Sequence, residues 1–324
     1  MNNLRKIGLS ALAGSLATFS AHAADVSVSG AASISFDDPN RGGKTNGTRG
    51  NSFYMGDSLK FNMSGETDGG VGIAVYYEID GGTLDDYNLK MSGDWGTLTF
   101  DGHGGSSAFG AMDDKMPNAY EESWDVIDTN GTTTGGTPTV INGAGGNNMF
   151  IYTSPSFSGA TFTAAYQNDG GAAGIGESYT DFSLTVSPEM VEGLTVGFAN
   201  ADHNIGASSR DADETTMYAT YAVGGFTVGY QISDLDDTTT NSDQESTSMG
   251  VTYAVNDDFS IGYHAHDLEF EAGASLSDQE STGISASYTM GGMTLAGAMN
   301  EVENMGGNAT SDHEGYEFTL SFAF

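Results

Sequence analysis

The side chains that could do chemistry fall into a few groups. Asp113, Asp114, Glu121, Glu122, Asp125 and Asp128, interleaved with Tyr120 and Trp124, crowd one segment. Carboxylates at that density gather cations, and rings of such charges decide what passes a narrow aqueous point. Lys60 and Lys90 bring the opposite charge from two separate runs. His264 and His266, at i and i+2, share one face of an extended chain, a spacing at which two imidazoles can ligate one metal ion. No third ligand accompanies them, so the plainer reading, two residues lining a surface, stands beside the metal. Asp234, Asp236 and Asp237 offer oxygens to calcium in what reads as a polar loop, but without the glycine and terminal glutamate of an EF-hand. Zero cysteines exclude a thiolate metal site, a thiol nucleophile and a disulfide. No serine, histidine and acid constellation can be assembled, and no enzyme is read here.

Composition narrows what can hold these groups. Lys and Arg number 9 against 44 Asp and Glu, a formal charge of -35, so a polyanion such as nucleic acid is a poor partner. Aromatic residues at 10% and only 5 prolines do not describe a solvated acidic tail, so the chain folds. Residues 1–23 read as a cleaved secretory signal peptide. Arg5 and Lys6 form its positive end, Ile7 to Phe19 its apolar segment, and Ala21-His22-Ala23 its cleavage site. Removing those two basic residues and no acids leaves 7 - 44 = -37. Past residue 23 no apolar run approaches the roughly 20 residues of a membrane-spanning helix.

The elements that must position the charged groups are strands. Tyr316, Phe318, Leu320, Phe322 and Phe324 alternate with Glu317, Thr319, Ser321 and Ala323. The same period of two recurs in Phe226, Val228, Tyr230 and Ile232 against Thr227, Gly229, Gln231 and Ser233, and again through Met249–Val255 and Ile284–Met290. Tight joins (Gly224-Gly225, Asn256-Asp257-Asp258, Gly291-Gly292) take turns with long polar ones (234–244, 272–277, 303–313). That order predicts an all-β, transmembrane, antiparallel up-and-down barrel over 24–324. Sixteen runs can be counted, approximately at 25–36, 53–64, 71–79, 86–92, 95–102, 148–154, 160–167, 178–187, 194–201, 215–223, 226–233, 246–255, 259–267, 281–290, 293–300 and 314–324. Sixteen strands about 4.8 Å apart, tilted about 40°, enclose a cylinder on the order of 30 Å across, too wide for side chains to fill. A soluble sandwich would alternate identically with its apolar face inward. The large aromatics on that face and the loop order favour lipid.

The carboxylate-rich segment lies in the one stretch that breaks the pattern, residues 103–147. It is expected to fold into the lumen as a constriction loop, the alternative being a surface loop like the others. If Leu59, Phe61 and Met63 face lipid, Lys60 faces the lumen. By the same argument from Tyr87, Leu89 and Met91, so does Lys90. Two wall lysines opposed to an acidic loop would set a transverse field. Arg41, Lys44 and Arg49 fall in the first long loop.

With these residues in view, the sequence resembles the general diffusion porins of Gram-negative outer membranes, particularly acidic porins of alphaproteobacteria. The resemblance rests on the signal, the first strand from Val26, the long third loop, the stretch Tyr152-Thr-Ser-Pro-Ser-Phe-Ser-Gly159 and the terminal Phe324. It implies an integral outer-membrane homotrimer in contact with lipid and lipopolysaccharide. It also implies a third loop that makes the constriction and a C-terminal strand read by the barrel assembly machinery. Such porins usually carry a wall arginine cluster, whereas the inward cations here are two lysines. The function expected is passive diffusion of small hydrophilic solutes and ions, cation-preferring on charge grounds, with no cofactor and only a weak case for calcium. The alternatives are a substrate-specific channel, for sugars along Tyr76, Tyr120 and Trp124, and a plugged adhesive barrel that conducts nothing.

Overall fold

The computed structural model describes residues 25–38, 52–113, 115–125, 139–168, 178–205, 210–237, 243–271 and 276–324. The strands in chain order are β1 (Asp25–Asp38), β2 (Ser52–Glu66), β3 (Gly72–Asp80), β4 (Thr83–Gly93), β5 (Gly96–His103), β6 (Gly105–Ser106), β7 (Gly145–Gly146), β8 (Met149–Thr153) and β9 (Ala160–Gln167). They continue with β10 (Ser178–Val186), β11 (Leu194–Ile205), β12 (Arg210–Val223), β13 (Phe226–Asp237), β14 (Gln244–Ala254), β15 (Phe259–Phe270), β16 (Gln279–Met290), β17 (Met293–Glu303) and β18 (His313–Ala323). All but β6 and β7 join one closed barrel of sixteen strands, each antiparallel to its sequence neighbour, with β1 pairing β18 to shut it. No helix among the described residues is long and apolar enough to cross a membrane.

Each counted run has its strand, and the counted runs fall short mainly at the end away from the termini. There β12 begins at Arg210 instead of 215, β13 ends at Asp237 instead of 233, and β15 and β17 run three residues further. Past the apolar band the outward face turns polar, so the alternation vanishes while the ladder continues, as in Asp213 opposite Asp236. Asp234, Asp236 and Asp237 therefore lie on β13, correcting their placement in a loop. The short-and-long order of joins has an exception, for β3 and β4 are connected at that far end by Gly81-Gly82 alone.

Turn chemistry explains the tight joins. Gly224 and Gly291 sit at φ +59° and +62°, the left-handed region a two-residue hairpin requires. At the third join the Asn256 side chain accepts the N–H groups of Asp258 and Phe259 at 2.9 and 3.0 Å. The face assignment is equally plain. Phe226, Tyr230, Ile284 and Phe318 each leave about half their surface on the outside, whereas Gln231, Ser233, Ser248 and Ser285 on the opposite face are buried. That is inverted for a soluble sandwich and required for a barrel in lipid.

Closure depends on the chain ends. Gly30 and Phe324 exchange backbone hydrogen bonds at 2.7 and 3.0 Å, and the Phe324 ring lies over Gly30. A Cβ at Gly30 would sit 2.9 Å from that ring and 3.0 Å from the Ser58 carbonyl oxygen. Gly30→Leu is therefore expected to destabilise the barrel by about 1–3 kcal/mol through overpacking. Denaturant titration of the folded band in unboiled gels measures it, and an unchanged midpoint would refute it.

Candidate pore constriction

The described parts of the segment between β5 and β8 lie against the inner wall of the barrel, with contacts from β10 to β18. Its neck is clipped by the β6–β7 ladder, Gly105 opposite Gly146. The root is apolar: Ala108, Phe109, Met112, Met116 and Ile141 form the main buried cluster with Met149, Ala165, Ala199 and Ala201 of the wall. The molecule's apolar core is thus the seam between loop and lumen wall. Asp181 of β10 takes the Phe109 N–H at 2.6 Å and the Tyr179 hydroxyl at 2.8 Å, so the root is tied as well as packed.

Further along, the loop backbone runs over a trench of inward-facing glycines. A Cβ at Gly229 would come within 2.6 Å of Pro117 Cδ, one at Gly262 within 2.6 Å of the Ala119 nitrogen, and one at Gly250 would overlap the Pro117 backbone. Polar wall groups then close the gaps. Gln231 donates to the Met112 carbonyl at 2.6 Å, and Ser285 Oγ accepts the Ala119 N–H at 3.1 Å. On the returning arm, Gln279 makes paired bonds with the Thr139 backbone at 2.9 and 3.0 Å.

His264 and His266 face inward, as the alternation predicts, and are buried. His264 Nδ1 accepts the Ser123 N–H at 3.1 Å, which leaves the proton of the neutral ring on Nε2. Trp124 stands edge-on to both rings at 5.1 and 4.8 Å. Among the described residues neither histidine belongs to a group of three side chains able to share an ion. Their place in this fold is as a socket for the loop.

The sequence of the chain matches the Gram-negative porin model over residues 8–304. The chain belongs to that porin family. A search of curated proteins by sequence finds no match. The fold is that of a porin structure refined at 1.8 Å, at TM-score 0.69 and 14% identity over 93% of this chain and 100% of that one. An anion-selective porin from Comamonas acidovorans matches at TM-score 0.66 and 15% identity, over 93% and 100% of the two chains. A triple mutant of Rhodopseudomonas blastica porin matches at 0.62 and 14%, with the same coverage. The protein is accordingly an outer-membrane β-barrel channel and not an enzyme.

In this porin the carboxylates divide. Glu121, Glu122 and Asp125 come together, with oxygens within 4.8 Å of one another. Asp113 does not join them: it borders a small cavity between loop and wall with Trp124, Gln231 and His266. Asp114 and Asp128 lie outside the described residues, as do Arg41, Lys44, Arg49 and the signal segment. Burial and the neighbouring Glu122 carboxylate push Asp125 up to about 9. Burial, Glu317 and Glu122 also raise Glu121, whereas hydrogen bonds from Asp125 and Asn118 outweigh burial and hold Glu122 below its ordinary value. Glu122 is therefore the member charged across the widest pH range.

On β2, Lys60 lies 3.4 Å from Glu78, which also accepts the Tyr76 hydroxyl. Asp86 is within electrostatic reach of Lys60 and Glu78, and Asp101 within reach of Lys90. The two lysines share their wall with three carboxylates, of which Glu78 is ion-paired to Lys60. Tyr76, Tyr120 and Trp124 do not form one stack: each hydroxyl is bound to a different glutamate and Trp124 is held by the histidines. Sequence reasoning passed over the glycine trench and Glu317. The available signal was glycine recurring on the polar face of successive strands, at Gly229, Gly250, Gly262 and Gly283.

Proposed function

We propose that this porin is a general diffusion channel with cation preference. Water fills its lumen, small hydrophilic solutes and ions pass down their gradients, and residues 103–147 form the constriction. The observation that carries this reading is the charge balance there. Glu121, Glu122 and Asp125 stand on the loop, and the wall lysines are matched by Glu78, Asp86 and Asp101. A local surplus of carboxylate in a confined aqueous passage concentrates cations and repels anions. The same reading includes export by a signal cleaved after Ala23, insertion guided by the strand ending at Phe324, and a homotrimer among lipid and lipopolysaccharide. The anion-selective relative shares only the fold at 15% identity, so its selectivity does not carry over.

Purified protein in planar lipid bilayers tests this directly. Large ohmic steps under a KCl gradient, with a zero-current potential favouring K⁺, are expected. Anion preference would end the charge argument, and silence from folded protein would end the channel. The preference should also depend on pH. Asp125 is neutral below its raised value near 9 and charged above it, so K⁺ preference rises as pH climbs through that range. A flat profile from pH 7 to 10 would show that Asp125 does not face the permeating ions.

A further inference from the structure

The acidic segment of the loop is held at three points that differ in kind, and at one of them Asn300 of β17 donates to the Glu122 carbonyl at 2.5 Å. At Ser123 the hold is a buried socket, N–H to His264 and Oγ to Ser281 Oγ at 2.8 Å. At Tyr120 it is a single phenol reaching a carboxylate of the wall, Glu317 of β18.

We propose that Glu317 is a positioning residue for permeation, a latch that sets the lie of Tyr120 and Glu121 and with them one charged edge of the constriction. The proposal rests on the channel reading above. The Glu317 oxygens are divided between two parts of the molecule. Oε2 accepts from Tyr54 of β2 at 2.6 Å, while Oε1 accepts from Tyr120 and, at 2.7 Å, from Thr319. Thr319 in turn meets Ser35 of β1 at 2.7 Å and the Tyr120 hydroxyl at 3.0 Å. Glu317 stands opposite Asp37 across the β1–β18 seam. One carboxylate thus links the closing seam, the next strand and the loop.

The chemistry explains why a carboxylate suits this place. Ionised, it is acceptor-only, so both phenols donate to it and neither competes for its role. Its charge acts on the loop as well. Tyr120 is drawn to Glu317 while the adjacent Glu121 carboxylate is repelled by it. Glu121 keeps company with Glu122 and Asp125, so the residue that the latch fixes is the neighbour of the carboxylate cluster. The root of the loop is fixed by packing and does not depend on this contact.

Single-channel recording of the full-length protein and its variants tests the latch. Tyr120→Phe removes the hydrogen bond and no charge. It is expected to raise open-channel current noise on the order of twofold, because the segment gains a second position. Glu317→Ala is expected to do the same, and the double variant to be no noisier than Glu317→Ala alone, since both remove one interaction. Tyr54→Phe, which leaves the loop attached, is expected to have less effect, and migration of unboiled samples verifies folding throughout. Should Glu317→Ala not assemble, Tyr120→Phe decides alone. A conducting wild type with Tyr120→Phe unchanged in noise and conductance overturns the latch and leaves the channel standing. So do effects that simply add in the double variant. A wild type that inserts but passes no current overturns both.

Discussion

Gly250→Val is expected to reduce single-channel conductance roughly by half, since a constriction governs flow through the pore. Gly250 lies on the lumen face of β14 against Pro117, and a Cβ there would stand 2.8 Å from the Pro117 nitrogen as well as overlap its carbonyl oxygen. Backbone cannot yield as a flexible side-chain end can, so the loop must lift. It is clipped at its neck by Gly105 and Gly146 and packed at its root through Phe109, which leaves motion toward the lumen as the way out. Valine suits strand geometry, so the β14 ladder itself should persist. Gly65, whose added Cβ would meet nothing within 4 Å, supplies the control. Gly65→Val should conduct like the wild type, and equal conductance from Gly250→Val would mean the loop does not narrow the pore.

Glu122→Gln is expected to cause the largest selectivity loss of any single neutralisation at pH 7. Combined with Glu121→Gln and Asp125→Asn it should lower K⁺ over Cl⁻ permeability on the order of threefold. The ranking follows from protonation. Asn118 donates to Glu122 at 2.8 Å and helps keep its charge, while Asp125 is raised and largely neutral at pH 7. Asp125→Asn alone should therefore be nearly silent at neutral pH and should abolish the rise in K⁺ preference on the alkaline side. Zero-current potentials at pH 7 and 10 read both effects. A large change from Asp125→Asn at pH 7 would contradict the assignment of charge within the cluster.

Much of this architecture was written in local order. Alternation along 226–233 or 314–324 reports which face each side chain takes, and strand pairing propagates that face around a closed sheet. Sixteen runs and the inward-facing pair His264 and His266 were therefore legible from spacing alone. Strand ends were less so, because at Asp234–Asp237 the apolar signal stops before the hydrogen bonds do.

The site was legible as composition only. A stretch rich in carboxylates and lacking a strand pattern marks a loop of consequence, but contacts between residue 120 and residue 317 have no local signature. Glu317 reads as any polar residue of an alternating strand until closure brings Tyr54 and Tyr120 to it. Gly250 reads as a weak strand residue until Pro117 lies on it. Lys60 reads as a free cation until β3 sets Glu78 beside it. By itself the sequence determined the barrel, its faces and the acidic character of its third loop, since these follow from period, turn chemistry and charge count. Only the tertiary structure decided where the described parts of that loop rest, which carboxylates meet and which lysine is ion-paired, because each depends on distances between different elements of the chain.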